Sequence, residues 1–390
     1  MNHGNRLEVV DFIKGCAIAG IVVFHCYEAI YGWPGHDLFN FLSGGLLSYY
    51  MFSFNSFDSI VKGLLKLTGL GYQGVSVFVV MSGFLQMWGS KGEKSELGKF
   101  YLKRFIRLYP LYWIAILGVL GLNLFLKRNP SVNIYQLYGA FFGWAPLLAF
   151  NPSFWFISLI VQFYLIFPFI HDFFLNIGER KFLFVTSLVT VLSLLIRSNL
   201  GAFGRFFVGS WLVEFGIGMV LANHFTEVDS KLRGLKPMVL LFTTYVLGVS
   251  FTGFPLTLLL SRAVYGVSLT LLLWSTYNTI KEWDFFQVFK KSFVFIGLNS
   301  YATYLINQPF IQEYYVFMML LFNMNRSLHF RSEVSGDAYN FLILPFDKYL
   351  IMMFIYLVVM VYLSAYLTRL EENLHKKITT FLFTKKLDIN

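Results

Sequence analysis

Apolar runs of near-membrane length alternate with short polar stretches along almost the whole chain. They fall at about 9–30, 72–88, 108–126, 154–174, 182–196, 206–223, 237–251, 255–274, 293–322 and 349–367. A helix needs about twenty apolar residues to cross a bilayer, so the pattern predicts an all-α polytopic membrane bundle of about ten transmembrane helices. The run over 293–322 is long and holds Pro309, which predicts a break or kink there. The stretch 39–70 departs from the pattern. Gly44, Gly45, Asn55 and Asp58 interrupt its apolar residues, which predicts an amphipathic or re-entrant segment. No repeat or low-complexity linker divides the chain. One membrane domain is expected over 1–372, then a short basic tail over 373–390.

The first run carries polar residues at a telling spacing. Lys14 and His25 lie eleven residues apart, close to three helical turns, so both leave one face about 16 Å apart along the axis. Asp11 and Glu28 extend the same stripe at either end. Ionisable groups in a spanning helix are costly, which makes this seam a candidate functional feature. Cys16 and Cys26 share the helix but stand roughly 80° apart in projection, so they cannot bridge one another.

Composition supports the membrane reading: 57% of residues are hydrophobic, 20% aromatic and only 13% charged. That charge fraction is about half of what a soluble domain carries. The net charge of +10 would suit nucleic acid on a soluble domain, but here the basic residues sit between apolar runs. They act as topology determinants. Placing both termini in the cytoplasm puts Lys91, Lys94, Lys99, Lys103, Arg104, Arg107, Lys290, Lys291, Lys376, Lys377, Lys385 and Lys386 inside. Lys62, Lys127, Arg128, Arg326 and Arg331 then lie outside. The first run is too long, and too polar along its seam, for a cleavable signal peptide.

Five stretches in order resemble the membrane acyltransferase-3 family. Arg6 through Asp11, Lys14 and Gly15, followed by His25, resembles its opening motif: an aspartate, a basic residue, ten residues, then a histidine. Gly74 through Ser82, Gly83 and Phe84 is similar to its second-helix signature. Tyr101 through Arg104, Arg107 and Pro110 resembles its Arg-x-x-Arg motif ahead of a proline. Trp155 through Tyr164 and Pro168 resembles its tryptophan-led fourth span. Asn299 through Tyr301, Tyr304, Asn307 and Pro309 is similar to its late Ser-Tyr-x-x-Tyr-Leu-x-His-x-Pro segment.

The resemblance implies transfer of an acyl group, usually acetyl from cytoplasmic acetyl-CoA, to a hydroxyl of a surface carbohydrate or glycolipid. The expected setting is the plasma membrane, with no metal and no nucleic-acid partner. His25 is then a candidate general base, since imidazole titrates near working pH and an attacking hydroxyl must lose its proton. Glu28 either orients its ring or is a solvated helix-end charge. Lys14 faces donor phosphates or the developing oxyanion, or snorkels to the headgroups, and Asp11 is placed to pair with it. Arg104 and Arg107 share a helix face and suit CoA phosphates, with Lys103 beside them; the plainer reading is an interfacial anchor. Ser82 reads as a close-packing site rather than a nucleophile. Trp155 shapes the pocket or sits in the aromatic belt.

Two departures bear on the expectation. The fourth span offers Ile160, Val161 and Gln162 where some family members carry a carboxylate, and the late histidine is Asn307. Glu214 and Arg262 are further polar residues inside predicted spans, suited to an acceptor cavity or to pairing with each other. The competing class is a secondary transporter, which would also place charges in the bilayer but should show two related halves. A lipid-linked glycosyltransferase would need outer-loop acids such as Asp37 and Asp58. No metal cluster, glycine-rich phosphate loop or flavin motif is visible in the sequence.

Overall fold

The computed structural model describes residues 7–31, 68–90, 96–125, 139, 142, 154–196, 207–250, 258–321 and 346–384. These form helices, with no strand among the described residues. In chain order they are α1 (Glu8–Tyr31), α2 (Gly74–Ser90), α3 (Leu97–Phe125), α4 (Trp155–Ile177), α5 (Glu179–Leu195) and α6 (Leu212–Asn223). Then come α7 (Phe225–Lys231), α8 (Leu235–Ser250), α9 (Leu258–Ile280), α10 (Gln287–Leu298), α11 (Ser300–Leu321) and α12 (Phe346–Thr384). Short 3-10 turns precede α2 (Gly69–Gln73), α6 (Val208–Trp211) and α10 (Asp284–Phe286).

Each of the ten apolar windows contains helix among its described residues. Among the described residues five segments are long and apolar enough to cross a bilayer: Glu8–Ala29, Gly69–Ser90, Leu97–Phe125, Trp155–Ile177 and Tyr349–Lys376. A sixth exists if α7 and α8, bent by 100° at their junction, make one broken span. This is a helical membrane protein.

Three features refine the windows read from the sequence. α3 starts at Leu97, eleven residues before the apolar window, and carries Lys103 together with Arg104 and Arg107, the two arginines expected to share a helix face. The long ninth run is interrupted at Asn299, and α11 continues through Pro309. Asn299 spends its side-chain amide on the Phe295 carbonyl at 2.7 Å, a local bond that competes with continuing the helix. The basic tail from residue 373 begins as a continuation of α12 to Thr384. The windows at 39–67 and the loop residues Lys62, Lys91, Lys94, Lys127, Arg128, Arg326, Arg331, Lys385 and Lys386 lie outside the described residues, as do Asp37 and Asp58.

α1 is the hub. Its apolar window is 72% buried, against 28%, 28% and 22% for α3, α4 and α12. Those three therefore turn most of their surface to lipid, and α1 is enclosed by α2, α9, α10, α11 and α12. The enclosure is possible because glycine lets backbones meet. A Cβ on Gly15 would collide with the Phe293 carbonyl, and one on Gly297 with the Asp11 carbonyl. The same device joins α2 to α6, where Gly83 meets the Phe215 carbonyl and Gly218 meets that of Val80. Around it, Phe163 stacks on Phe215 at 4.2 Å between centroids.

One end of the bundle is stitched by polar contacts. Glu8 pairs with Lys290 at 3.3 Å, joining the start of α1 to α10. Asp229 accepts hydrogen bonds from Trp274 Nε1 (2.8 Å) and Asn278 Nδ2 (2.9 Å), tying α7 to the end of α9. Glu179 accepts from Asn223 Nδ2 at 2.7 Å, tying α5 to the end of α6. Phe12 and Tyr277, with centroids 5.5 Å apart, bring α1 and α9 together at this end.

Candidate functional site

The polar seam of α1 forms two local pairs. Lys14 Nζ lies 2.9 Å from Asp11 Oδ1, both largely buried. The backbone of Asp11 is pressed onto Gly297, so the α1–α10 notch fixes where this pair stands. About three turns beyond Lys14, His25 Nδ1 lies 2.9 Å from Glu28 Oε2. His25 is 12% exposed and Glu28 29%, so the ring is sheltered and the carboxylate faces partly outward. The i, i+3 spacing of both pairs places partners on neighbouring turns.

His25 is framed by aromatic neighbours. Phe24 packs edge-on to Tyr72 at 5.7 Å, which docks the Gly69–Gln73 turn beside it. Gly71 in that turn meets the Gly20 carbonyl, another contact that a side chain would block. On the next position Cys26 is buried among Ile306, Ile311, Tyr315 and Tyr356, a packing role for this thiol. Both cysteines are free.

At the other end of the membrane region, the α3 cations separate by direction. Arg104 turns inward, its guanidinium 4.8 Å from the Phe100 ring and 5.7 Å from that of Tyr164 on α4. Lys103 and Arg107 are exposed. Arg104 thus has a cation–π seat with its edge donors left for an anion, whereas Lys103 has none of this setting. Phe100 stacks on Phe167 at 5.7 Å, which anchors α3 to α4 beneath the arginine.

The remaining candidates are scattered. Ser82 Oγ donates to the Phe78 carbonyl at 2.8 Å, a bond within its own helix. Trp155 lies 5.9 Å from Trp211 and 5.8 Å from Phe156. Asn307 is 1% exposed; its Oδ1 has no hydrogen-bond partner, and its backbone carbonyl accepts from the Tyr356 hydroxyl. Gln162, at the position of the missing carboxylate, donates to Ser158 O (3.1 Å) and accepts from the Val208 amide (3.2 Å). It holds the start of the second 3-10 turn. Among the described residues no cluster of three or more His, Cys, Asp or Glu suits a metal ion.

Glu214 and Arg262 pair with each other, Arg262 Nε to Glu214 Oε1 at 2.7 Å. Two polar residues in separate spans announce a buried pair, but nothing in the spacing says which partner each takes. Sequence reasoning missed the Gln73–Tyr245 and Glu179–His224 contacts, whose partners lie 172 and 45 positions apart.

The acyltransferase domain family matches residues 7–369. The protein named "Putative acetyltransferase ORF330" of Acidianus two-tailed virus is 27% identical over 248 residues, covering 60% of this chain and 71% of the viral protein. Acyltransferase MdmB of Streptomyces mycarofaciens is 29% identical over 122 residues, 28% of this chain and 31% of its own length. No solved structure matches.

Proposed function

This chain belongs to the acyltransferase domain family, and from that premise we propose that it is a multi-pass O-acyltransferase of the plasma membrane. It moves an acetyl or similar acyl group from cytoplasmic acyl-CoA to a hydroxyl of a surface carbohydrate or glycolipid, with both termini in the cytoplasm.

The observation that carries the reading is the sheltered His25–Glu28 pair, at 2.9 Å. With Nδ1–H donated to Glu28, Nε2 holds the free lone pair and accepts the proton of the acceptor hydroxyl. The oxygen attacks the thioester carbonyl, a new ester C–O bond forms, and the C–S bond breaks. The proton on His25 returns to the departing CoA thiolate. Arg104, and Arg107 one turn on, bind donor phosphates, for which guanidinium supplies a bidentate fork. Lys14 carries positive charge near the donor side, held in place by Asp11. Lys103 makes at most a long-range contribution on this reading. Trp155 and Asn307 line the acceptor pocket; Ser82 contributes packing.

The test is transfer or hydrolysis of radiolabelled acetyl-CoA by the purified protein, beside His25→Ala and the double variant Arg104→Ala/Arg107→Ala. Label released or transferred by wild type, donor bound but unreacted in the histidine variant, and weak donor binding in the arginine variant support the assignment. A wild-type protein that neither binds nor consumes acetyl- or succinyl-CoA refutes it and returns attention to transport.

A further inference from the structure

Helices α3, α11 and α12 meet around the turn of α3 that follows Arg107. Leu367 of α12 packs against the cluster that holds Leu108 and Leu111 of α3 and Ala302 and Leu305 of α11. Tyr301 of α11 ties the same spot, its hydroxyl donating to the Leu108 carbonyl at 2.7 Å. One turn beyond Leu367, on the same face of α12, stands Glu371. Its carboxylate is half-buried and interacts with two groups of this junction, the Arg107 guanidinium and the Tyr301 side chain. Glu372, the next residue, is exposed. Arg107 therefore feels an acid from α12 and a like charge from its own helix, where Arg104 stands close enough to repel it.

In the acyl-transfer reading these two arginines bind the phosphates of acyl-CoA, and a carboxylate beside them works against the ligand. Without donor, Glu371 offsets part of the positive charge on the arginine pair. Once a phosphate reaches Arg107, the same carboxylate faces an anion of its own sign. Packing alone does not account for it, because a leucine would continue the Leu367 face without the cost of a half-buried charge. A functional account is available. Acyl-CoA and spent CoA carry the same phosphates, so a site that grips one grips the other. Such uniform binding does not speed the chemical step, and it slows product release. A facing carboxylate weakens both ligands by one factor and leaves the thioester untouched.

We propose that Glu371 is a counter-charge at the donor site: acting through Arg107, it weakens binding of acyl-CoA and of CoA alike and so speeds departure of the product. The inference rests on the acyl-transfer reading and adds a residue to its donor site. Glu371 is a positioning residue, since it acts on the arginine and not on the reacting atoms.

The experiment titrates the purified full-length protein with CoA and, separately, with acetyl-CoA, and records melting temperatures alongside. Glu371→Gln should tighten both ligands by the same factor, about twofold to fivefold, the scale of a partly exposed charge pair. A purely structural role has the opposite sign, because loosening α12 from α3 would weaken donor binding and lower the melting temperature. In the Arg107→Ala background the substitution should lose most of its effect. Glu372→Gln, which removes an equal charge from the exposed neighbour, should scarcely move either affinity. If Glu371→Gln does not fold, Glu371→Asp carries the test: it draws the carboxylate back and should tighten both ligands by a smaller factor. Unchanged or weaker binding in the variant that folds overturns the counter-charge. So does a gain that persists undiminished without Arg107, or an equal gain in Glu372→Gln. A wild-type protein that binds neither CoA nor acetyl-CoA is a separate result: it refutes the donor assignment of Arg104 and Arg107, and the role of Glu371 goes with it.

Discussion

Glu28 Oε2 stands 2.9 Å from Nδ1 of His25, about one helical turn further along the most buried of the five segments long and apolar enough to span. The contact fixes which ring nitrogen points away from the carboxylate, and on the general-base proposal that is the nitrogen that takes the proton. His25→Ala should lower acyl transfer by about two to four orders of magnitude, the range for a lost general base. Glu28→Gln, which keeps the shape but not the charge, should cost about tenfold. Single-turnover kinetics with acetyl-CoA check both, and a Glu28→Gln rate equal to wild type removes Glu28 from the mechanism.

Arg104 and Lys103 are adjacent in sequence and unlike in setting. Arg104 is seated against Phe100 and Tyr164, whereas Lys103 is exposed. Arg104→Ala should raise the KM for acetyl-CoA about tenfold or more, and Lys103→Ala less than twofold. Arg104→Lys should rescue only in part, because a lysine keeps the charge and loses the fork. Equal effects at 103 and 104 would mean that bulk positive charge, not a shaped site, attracts the donor.

The Gly297–Asp11 contact makes a stability prediction with a functional readout. A methyl group at 297 collides with the Asp11 carbonyl and has no flexible neighbour to displace. Gly297→Ala should destabilise by about 1–3 kcal/mol or more, as overpacking does. It should also lower activity beyond that, since the shift falls on the turn carrying Asp11 and Lys14. Gly98→Ala, where nothing stands near the added carbon, is the control and should melt as wild type. Identical melting curves for the two variants would refute the notch.

His224 and Glu179, outside the spanning segments, predict a pH dependence. The hydrogen bond and charge of Glu179, at 2.8 Å, hold His224 above its ordinary 6.5. Burial works to raise the Glu179 carboxyl, but the bonds from Asn223 and His224 prevail and keep it below 4.5. A raised histidine contributes stability that is full below 6.5 and is lost as pH rises through its folded value. A depressed carboxylate contributes above 4.5 and is lost as pH falls through its folded value. Wild type should therefore melt above Glu179→Gln in the weakly acid range, with the gap closing above neutrality. The pair is exposed, so the gap is small, about a degree or two. A gap that widens with rising pH would contradict the pairing.

How far the molecule could be read from its sequence differs from feature to feature. Helix α1 was legible because Lys14 and His25 stand out against apolar neighbours, and their local partners Asp11 and Glu28 sit three residues away. The true start of α3 was not. Its first turns alternate lysines with Phe100, Leu102 and Phe105, a polar face that a hydropathy window averages away. Pro309 signalled a break more strongly than Asn299, although a proline's disruption can be absorbed inside a packed bundle while a side-chain bond to the backbone ends a helix quietly. The buried pair of Glu214 and Arg262 was visible as two charges without a setting. That Arg262 would also reach the Ser210 carbonyl and lie over Trp211 could not be foreseen, because only packing decides which polar groups meet.

The notch between Gly15 and Gly297 also sets a schedule for biosynthesis. The helix bearing Asp11, Lys14 and His25 leaves the ribosome ahead of every other described helix, but one wall that encloses it is encoded nearly three hundred residues later. At about 5–20 residues per second, that wall arrives roughly a quarter of a minute to a minute afterwards. Until then the charged seam waits in the lipid or the insertion machinery with α10 still unmade. The earliest of the described helices is thus among the last to be sheltered, and a nascent chain halted before α10 would carry every residue of the seam without its enclosure.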